Sequence, residues 1–417
     1  MKRVWNNRNF FLLFLGQTTS HIGNTLFIIS LFYFVNMKSG PRDVVVLGLL
    51  ATLPALLGFI TGTLSDRMSK KRIMLVSDWI RLVLIIALIL SLTIYGYHFW
   101  IIGFIFLFMS IANFVFMPAL NSILPNLVED KDLTEANGLI QSSVQISAII
   151  GALFGAVLIA SVGPISIFAF NGFTFMVSII SIMLIRIRMS EKETTKSKKW
   201  DISWFSDIKE GFMYIRQFVV LKKIMMGMFF VNLLYVPFYT LGASWSVDIL
   251  KEGSRGYSLM EAFLGGGSLC GALLAKWIEK GFGGKNAFLL ALLPQVTIVF
   301  FPLAKSLWLS LAILFLFGFG LGIWNTLYAT YIHRTVEDKI RGRIFGVTST
   351  IVGGAFPIGS GVFAILLNSL NVIEVFWIAS AGISISVLYM LIVIMKGIDT
   401  NKSLFTQAEK ETPFKEI

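Results

Sequence analysis

The feature that most restricts the fold of this chain is a series of apolar blocks, each about 20 residues long and almost free of charge. A helix rises 1.5 Å per residue, so such a block matches the roughly 30 Å hydrocarbon layer of a bilayer. Backbone groups in lipid must satisfy their own hydrogen bonds, which leaves helices or a closed barrel, and barrel strands alternate polar and apolar residues. The blocks show no such alternation and therefore predict membrane-spanning helices.

The blocks predict twelve spans in two sets of six. The first set covers residues 9–35, 44–65, 73–95, 98–120, 137–161 and 164–187, and the second covers 224–248, 258–279, 286–304, 307–331, 343–367 and 372–395. The predicted domains are an N-terminal bundle (1–187), a cytoplasmic linker (188–223), a C-terminal bundle (224–395) and a cytoplasmic tail (396–417). Within the linker, Ile208, Phe212 and Ile215 have the spacing of an amphipathic surface helix.

The distribution of basic residues sets the predicted orientation. Of the 35 Lys and Arg residues, 29 fall in segments on the same side as the N-terminus. Basic residues accumulate on the cytoplasmic face, so both termini are predicted to be cytoplasmic, in a bacterial cell membrane. This bias also explains the net charge of +12 without a nucleic-acid partner.

Several function classes lack their characteristic residues. One cysteine, Cys270, gives no disulfide framework, and three scattered histidines give no metal-ligand spacing. No phosphate-binding loop is present, and no acid, base and nucleophile cluster at membrane depth. We therefore expect no catalytic residues, no metal site and no cofactor, and we expect a protein that is not an enzyme.

Two short motifs of the first half recur in the second half of the sequence. Val128-Glu129-Asp130-Lys131 recurs 208 residues later as Val336-Glu337-Asp338-Lys339. The pattern Gly62-x-Leu64-x-Asp66-Arg67-x-x-x-Lys71 has a partial counterpart 209 residues later, from Gly271 to Lys280. Two matches at nearly one offset indicate an internal repeat, which is common in membrane transporters.

Residues 62–72, GTLSDRMSKKR, resemble the signature of the major facilitator superfamily between spans two and three. Segments 117–139, 170–175, 207–216 and 340–361 resemble the branch that holds macrolide efflux proteins and the enterobactin exporter. The resemblance implies two pseudo-symmetric six-helix bundles and transport by alternating access. The chain departs from the family pattern in two places, because span five has Gly151 and Gly155 without the exporters' proline and Gly23-Asn24 lacks the acidic residue of relatives.

The resemblance implies a cytoplasmic gate. The predicted gating residues are Gly62, Asp66, Arg67, Lys71, Asp78, Arg81, Arg341 and Arg343. Asp66 is predicted to interact with the start of span eleven, where Arg341 and Arg343 lie, and to release it when the halves rock. The alternative is that this loop is only a basic anchor. Asp78 and Arg81, three residues apart on span three, are predicted to pair within the helix.

Polar and aromatic residues form stripes on several spans. The candidate cavity residues are Gln17, His21 and Asn24 of span one, Gln141 and Gln145 of span five, Asn232, Tyr235 and Tyr239 of span seven, and Trp324 and Tyr328 of span ten. Such stripes can line a cavity or pack between helices. As a cavity they would be rich in aromatic and amide groups and poor in charge, which suits an amphipathic molecule.

Three residues are candidates for proton coupling: His21, Asp78 and Glu261. The alternatives are a buried histidine with satisfied hydrogen bonds for His21 and a structural or gating pair with Arg81 for Asp78. Glu261 has a competing interpretation, because Ser258-Leu259-Met260-Glu261 has the pattern of a capping box at a helix start. The prediction is therefore a monomeric secondary exporter in the lipid bilayer that exchanges protons for an amphipathic substrate. The family resemblance suggests macrolides as that substrate. Export of a siderophore, another metabolite or a lipid is the alternative within transport, and a membrane enzyme or sensor is the alternative outside it.

Overall fold

The computed structural model describes residues 2–54, 69–129, 132–186, 219–335 and 338–397. These residues form helices joined by short connections, and no strand occurs among them. The predicted linker helix at 208–215 and most of the predicted tail lie outside the described residues.

The helices of the first half are α1 (Arg8–Ser39), α2 (Pro41–Thr52), α3 (Lys70–Ile94), α4 (Phe99–Ile123), α5 (133–162) and α6 (164–184). The helices of the second half are α7 (Val219–Thr240), α8 (Gly253–Phe282), α9 (Gly284–Val296), α10 (Leu307–Thr335), α11 (Asp338–Leu366) and α12 (Val372–Gly397). A 3-10 turn, Thr297–Leu303, extends α9, and a π-helical turn, Trp245–Ile249, lies between α7 and α8. Each helix overlaps one predicted span.

Nine helices in the described part of the chain are long and apolar enough to cross a membrane. The described part of α2 has 12 residues, and those after Leu53-Pro54 fall outside the described ranges. The helical membrane architecture is therefore confirmed, while the count of twelve spans stays a prediction.

The boundaries of the helices follow from local chemistry. The side chain of Asn7 accepts hydrogen bonds from the backbone amides of Asn9 and Phe10 and so caps α1. Gly163 separates α5 from α6 because its φ of 75° is readily adopted only by glycine, and Pro164 then begins the next helix.

The first compact unit contains α1–α6 together with Phe238–Ala262 and Ser360–Val372. Its core includes Phe27, whose ring packs against Phe106 and Phe168 at centroid distances of 6.0 and 5.2 Å. The segment after α7 is fixed within this unit by the hydroxyl of Ser244, which donates to the side-chain oxygen of Asn36 at 2.5 Å.

The second compact unit contains the remaining described parts of α7–α12. Glycines bring its helices into close contact, because an added Cβ at Gly267 or Gly359 would lie under 3.0 Å from a backbone oxygen of a neighbouring helix. Large apolar side chains point outward, and Trp277 and Trp308 are both 74% exposed, as expected for surfaces covered by lipid. The two units differ from the predicted bundles because Phe238–Ala262 and Ser360–Val372 belong to the first unit. The predicted domain boundaries remain a prediction.

Candidate functional site

Part of the predicted gate lies beyond what the structure describes. Gly62, Asp66 and Arg67 fall outside the described residues, and Arg341 and Arg343 lie in α11 with side chains that are likewise not described. The interaction between Asp66 and the start of α11 therefore stays a prediction.

Lys71 caps the end of α6. Its ammonium group donates to the backbone oxygens of Met183 and Ile185 at 2.9 and 2.7 Å. A cation at a helix C-terminus satisfies free carbonyls and interacts favourably with the helix dipole. Lys71 thus anchors the start of α3 to the end of α6 on what is predicted to be the cytoplasmic side.

The second half repeats this arrangement. Lys285, at the start of α9, donates to the backbone oxygen of Met395 at the end of α12, at 3.1 Å. Lys285 therefore occupies the position in the second half that Lys71 occupies in the first. The internal sequence repeat instead aligns Lys71 with Lys280. The repeat places one lysine cap at the corresponding corner of each half.

Asp78 and Arg81 form an ion pair on α3, with 2.5 Å between an Arg81 nitrogen and an Asp78 oxygen. Both side chains are buried, at 0% and 3% exposure. The second Asp78 oxygen accepts a hydrogen bond of 2.7 Å from the hydroxyl of Ser178, which in turn accepts one of 3.1 Å from the amide of Gln17. This chain of hydrogen bonds links α3, α6 and α1.

Arg81 is held on its other sides as well. Its guanidinium group contacts the side-chain oxygen of Asn113 at 3.4 Å and lies 4.5 and 5.0 Å from the ring centres of Phe116 and Phe175. Ring faces attract cations, so the guanidinium group is stabilised by two rings in addition to the carboxylate. The guanidinium group of Arg81 and the hydroxyl of Ser178 both contact the Asp78 carboxylate, so the ion pair joins α3 to α6.

The other candidates on α1 differ in their surroundings. Gln17 is almost fully buried within the network of Asp78, which favours its packing role. The Nε2 atom of His21 is buried and has no hydrogen-bond partner among the described residues. Asn24 is half-buried and follows Gly23, where a Cβ would collide with the side chains of Thr174 and Asn171.

The candidates on α5 and α7 are only partly described. The side chains of Gln141 and Gln145 lie outside the described residues. On α7, the Asn232 amide donates to its own helix at Met228, and Tyr235 stacks on Phe317 with a centroid distance of 5.7 Å. Tyr235 therefore packs inside the second unit.

Trp324 and Tyr328 line an aromatic recess inside the second unit. Their rings are nearly parallel, at 12° and 6.4 Å, and Phe288 of α9 meets the Trp324 ring edge-on at 5.4 Å. The described residues that line the recess are Leu221, Ile224, Phe288, Trp324, Tyr328, Tyr331 and Ile394. We call this site the aromatic recess.

The capping-box interpretation of Glu261 is wrong. Helix α8 begins at Gly253, so Ser258 lies inside the helix and cannot be its N-cap. The start is shifted because Lys251 and Gly253 both have positive φ angles, 59° and 56°, which turn the chain into the helix earlier than the Ser-x-x-Glu pattern suggests. Glu261 is therefore a carboxylate within the span.

Sequence reasoning missed Ser178, Asn113, Phe288 and Lys285. The first two are ordinary polar residues in apolar helices and become notable only through their contacts with Asp78 and Arg81. Lys285 could have been found by comparing the basic residues that precede the third span of each half. Among the described residues, no group of His, Cys, Asp and Glu side chains could hold a metal ion.

Comparison with known proteins agrees with this architecture. The family model described as Major Facilitator Superfamily matches residues 13–360. Macrolide efflux protein A of Streptococcus pyogenes is 25% identical over 87% of this chain and 90% of its own length. The putative bacilysin exporter BacE of Bacillus subtilis is 26% identical over 88% of this chain and 90% of its own.

Solved structures show the same fold at low identity. The crystal structure of the nucleoside transporter NupG has a TM-score of 0.70 and 12% identity, and the match covers 97% of this chain and 100% of that one. The family model covers well over half of the chain. This multi-pass membrane protein is a transporter that belongs to the Major Facilitator Superfamily.

Proposed function

We propose that this protein is a secondary exporter of drug-like or amphipathic small molecules that works by alternating access and exchanges its substrate for protons. The aromatic recess is the observation that carries the substrate class. Among the described residues, its lining has aromatic and aliphatic side chains and no charged one. Apolar pockets with a few polar groups favour amphipathic ligands over sugar phosphates or inorganic ions.

The relatives support the direction of transport. One is named a macrolide efflux protein and another a putative bacilysin exporter, and both align over most of this chain. Because the loops rich in Lys and Arg would lie in the cytoplasm, both termini would be inside the cell. The protein would act as a monomer in the bacterial cell membrane.

The gate and the coupling groups belong to the same proposal. Asp66 would hold the cytoplasmic side closed through the start of α11 and release it during transport. His21, Asp78 and Glu261 are the candidates for the proton carrier. The geometry favours Glu261, because Asp78 is paired with Arg81 and accepts a hydrogen bond from Ser178, whereas Glu261 has no basic partner among the described residues.

The test is flux in proteoliposomes that contain the purified full chain. A proton gradient of about two pH units, worth roughly 2.7 kcal/mol per proton, is imposed and movement of a radiolabelled macrolide is followed. We expect flux that collapses with a proton ionophore. Liposomes without protein provide the baseline, and turnover of the compound without flux would instead indicate an enzyme.

A pair of tryptophans on one helix tests the aromatic recess. Trp324→Ala should reduce the rate of flux because Trp324 is 3% exposed and forms the recess wall. Trp308→Ala is the matched control, since Trp308 also lies on α10 but is 74% exposed. Equal flux in the two variants would contradict a role for the recess in substrate recognition.

Export of an endogenous metabolite is the second candidate, and the similarity to the putative bacilysin exporter favours it. A resistance screen of an expressing strain separates the two. Resistance to several unrelated toxic compounds supports a multidrug exporter, while resistance to none supports a dedicated metabolite exporter.

A further inference from the structure

The aromatic recess lies at one end of the four helices that form it. Leu221 and Ile224 lie near the start of α7, and Phe288 lies near the start of α9. Tyr331 and Ile394 lie near the ends of α10 and α12. In the predicted topology all four of these helix ends are cytoplasmic. The recess is therefore placed on the side of the membrane that is formed by the cytoplasmic leaflet.

Contacts between the helices bound the recess within the second unit. A Cβ added to Gly227 of α7 would collide with the side chain of Met390, so α7 and α12 touch about one turn deeper than their recess-lining residues. Helices α9 and α10 meet through the rings of Phe288 and Trp324, whose centroids are 5.4 Å apart. The recess is thus bounded below by the contact of α7 with α12 and at one side by the contact of α9 with α10.

Basic residues surround the same end of these helices. The described parts of α7, α9, α10 and α12 contain one acidic residue, Glu374, which lies at the opposite end of α12. Their Lys and Arg residues all lie at the recess end and are Lys222, Lys223, Lys285, Arg334 and Lys396. On α7, the side chains of Lys222 and Lys223 are exposed, while those of Leu221 and Ile224 on either side are only 3% and 9% exposed. Exposed cations therefore border an uncharged aromatic recess.

These cations are available to an anion. Lys222, Lys223 and Lys396 form no ion pair within the described part of the chain. Lysines near the cytoplasmic surface of a membrane attract anionic headgroups, and each is worth about a fivefold change in affinity. Lysines alone would bind any anion and the recess alone would accept any apolar group. A molecule that uses both must be an amphipathic anion.

We propose that an anionic phospholipid of the cytoplasmic leaflet binds here, with its headgroup on Lys222, Lys223 and Lys396 and an acyl chain in the aromatic recess. The charge of the lysines and the position of the recess in the leaflet both favour this occupant over a soluble anion. The inference rests on the proposed export function in one respect, because the recess is also the proposed substrate site. An exported compound must therefore displace the lipid.

The test is native mass spectrometry of the purified full chain in detergent with phosphatidylglycerol and phosphatidylcholine that carry the same acyl chains. We expect phosphatidylglycerol to be retained in preference, and less of it to be retained at high ionic strength, which screens the lysines. In the double variant Lys222→Gln with Lys223→Gln, the Kd for phosphatidylglycerol should rise about 25-fold. The matched control is Lys276→Gln with Lys280→Gln, which removes the same charge from the end of α8, a helix that does not line the recess, and should bind like the wild type.

Two competitors identify what the site recognises. Glycerophosphoglycerol, the headgroup without acyl chains, should not displace the lipid, whereas a macrolide should displace it. Displacement by the headgroup alone, or none by the macrolide, would overturn the proposal.

Equal retention of the two phospholipids, or equal loss of binding in the two double variants, would also overturn the lipid site. In that case, flux of a macrolide in proteoliposomes would leave the export proposal intact. Lipid binding that follows the expected pattern, without flux of any compound, would instead refute export and leave the lipid site in place.

Discussion

The close approach of α8 to α10 allows a quantitative test of the packing in the second unit. Glycines on each helix face backbone oxygens of the other: Gly267 and Gly271 face Phe315 and Phe319, while Gly318 and Gly322 face Leu264 and Ser268. A Cβ at any of these glycines would lie well under 3.0 Å from the facing oxygen. The two backbones therefore touch, as in small-residue contacts of membrane helices.

The perturbation is Gly267→Ala. The colliding atom is the backbone oxygen of Phe315, which cannot rotate away, so the helices must separate. Overpacking of this kind costs about 1–3 kcal/mol. Separation also weakens Cα–H···O hydrogen bonds worth perhaps 0.5–1 kcal/mol each, against a gain of about 1 kcal/mol in helix propensity. If two such hydrogen bonds are broken, we expect a net destabilisation of about 1–4 kcal/mol.

The adjacent glycine provides the control. No atom lies within 4 Å of a Cβ added at Gly266, so Gly266→Ala brings only the propensity gain and should leave the melting temperature unchanged or higher. Both variants are heated in detergent, and the folded fraction is followed by fluorescence-detected size-exclusion chromatography. Gly267→Ala should melt several degrees below the wild type. Equal melting temperatures for the two variants would refute the close approach of the backbones.

Three further predictions concern the first unit, the caps and the gate. Arg81→Leu leaves the buried Asp78 carboxylate without its partner and should destabilise the protein by about 3–5 kcal/mol, while the double variant Asp78→Asn with Arg81→Leu should recover much of this in the same melting assay. Lys71→Gln and Lys285→Gln should each lower stability by about 0.3–1 kcal/mol through removal of the helix cap, and equal stability of both to the wild type would contradict the cap. Asp66→Asn should reduce flux in proteoliposomes while the amount of protein in the membrane stays the same, and unchanged flux would count against the gate.

The helices could be predicted from the sequence because lipid imposes one length and one composition on every span. The start of α8 shows the limit of this reasoning. The pattern from Ser258 to Glu261 matches a capping box, but the positive φ angles of Lys251 and Gly253 begin the helix earlier. The turn before the motif therefore determines where the helix starts. As a result, Glu261 is not a capping residue but a carboxylate within the span.

The buried network of α3 shows what else the sequence withholds. The spacing of Asp78 and Arg81 alone predicts that they share a helix face. Nothing in the sequence joins Asp78 to Ser178, which lies 100 residues away and donates to it only because α3 packs against α6. The hydrogen-bonding partners of a buried charge follow from helix packing. That packing depends on small residues, and the sequence alone does not show which helices they contact.

The two halves of the fold share their anchoring device and differ in their charges. Lys71 and Lys285 occupy equivalent corners and cap α6 and α12 in the same way, so the repeat preserves an interaction that stabilises each half. The ion pair of α3 has no such counterpart on α9, whose described residues after Lys285 carry no charge. The ion pair of Asp78 and Arg81, which also contacts Ser178 and Asn113, is suited to holding helices together, whereas Glu261 has no basic partner among the described residues. This difference between the two carboxylates, rather than the number of charges, is the reason why we propose a structural role for Asp78 and a transport role for Glu261.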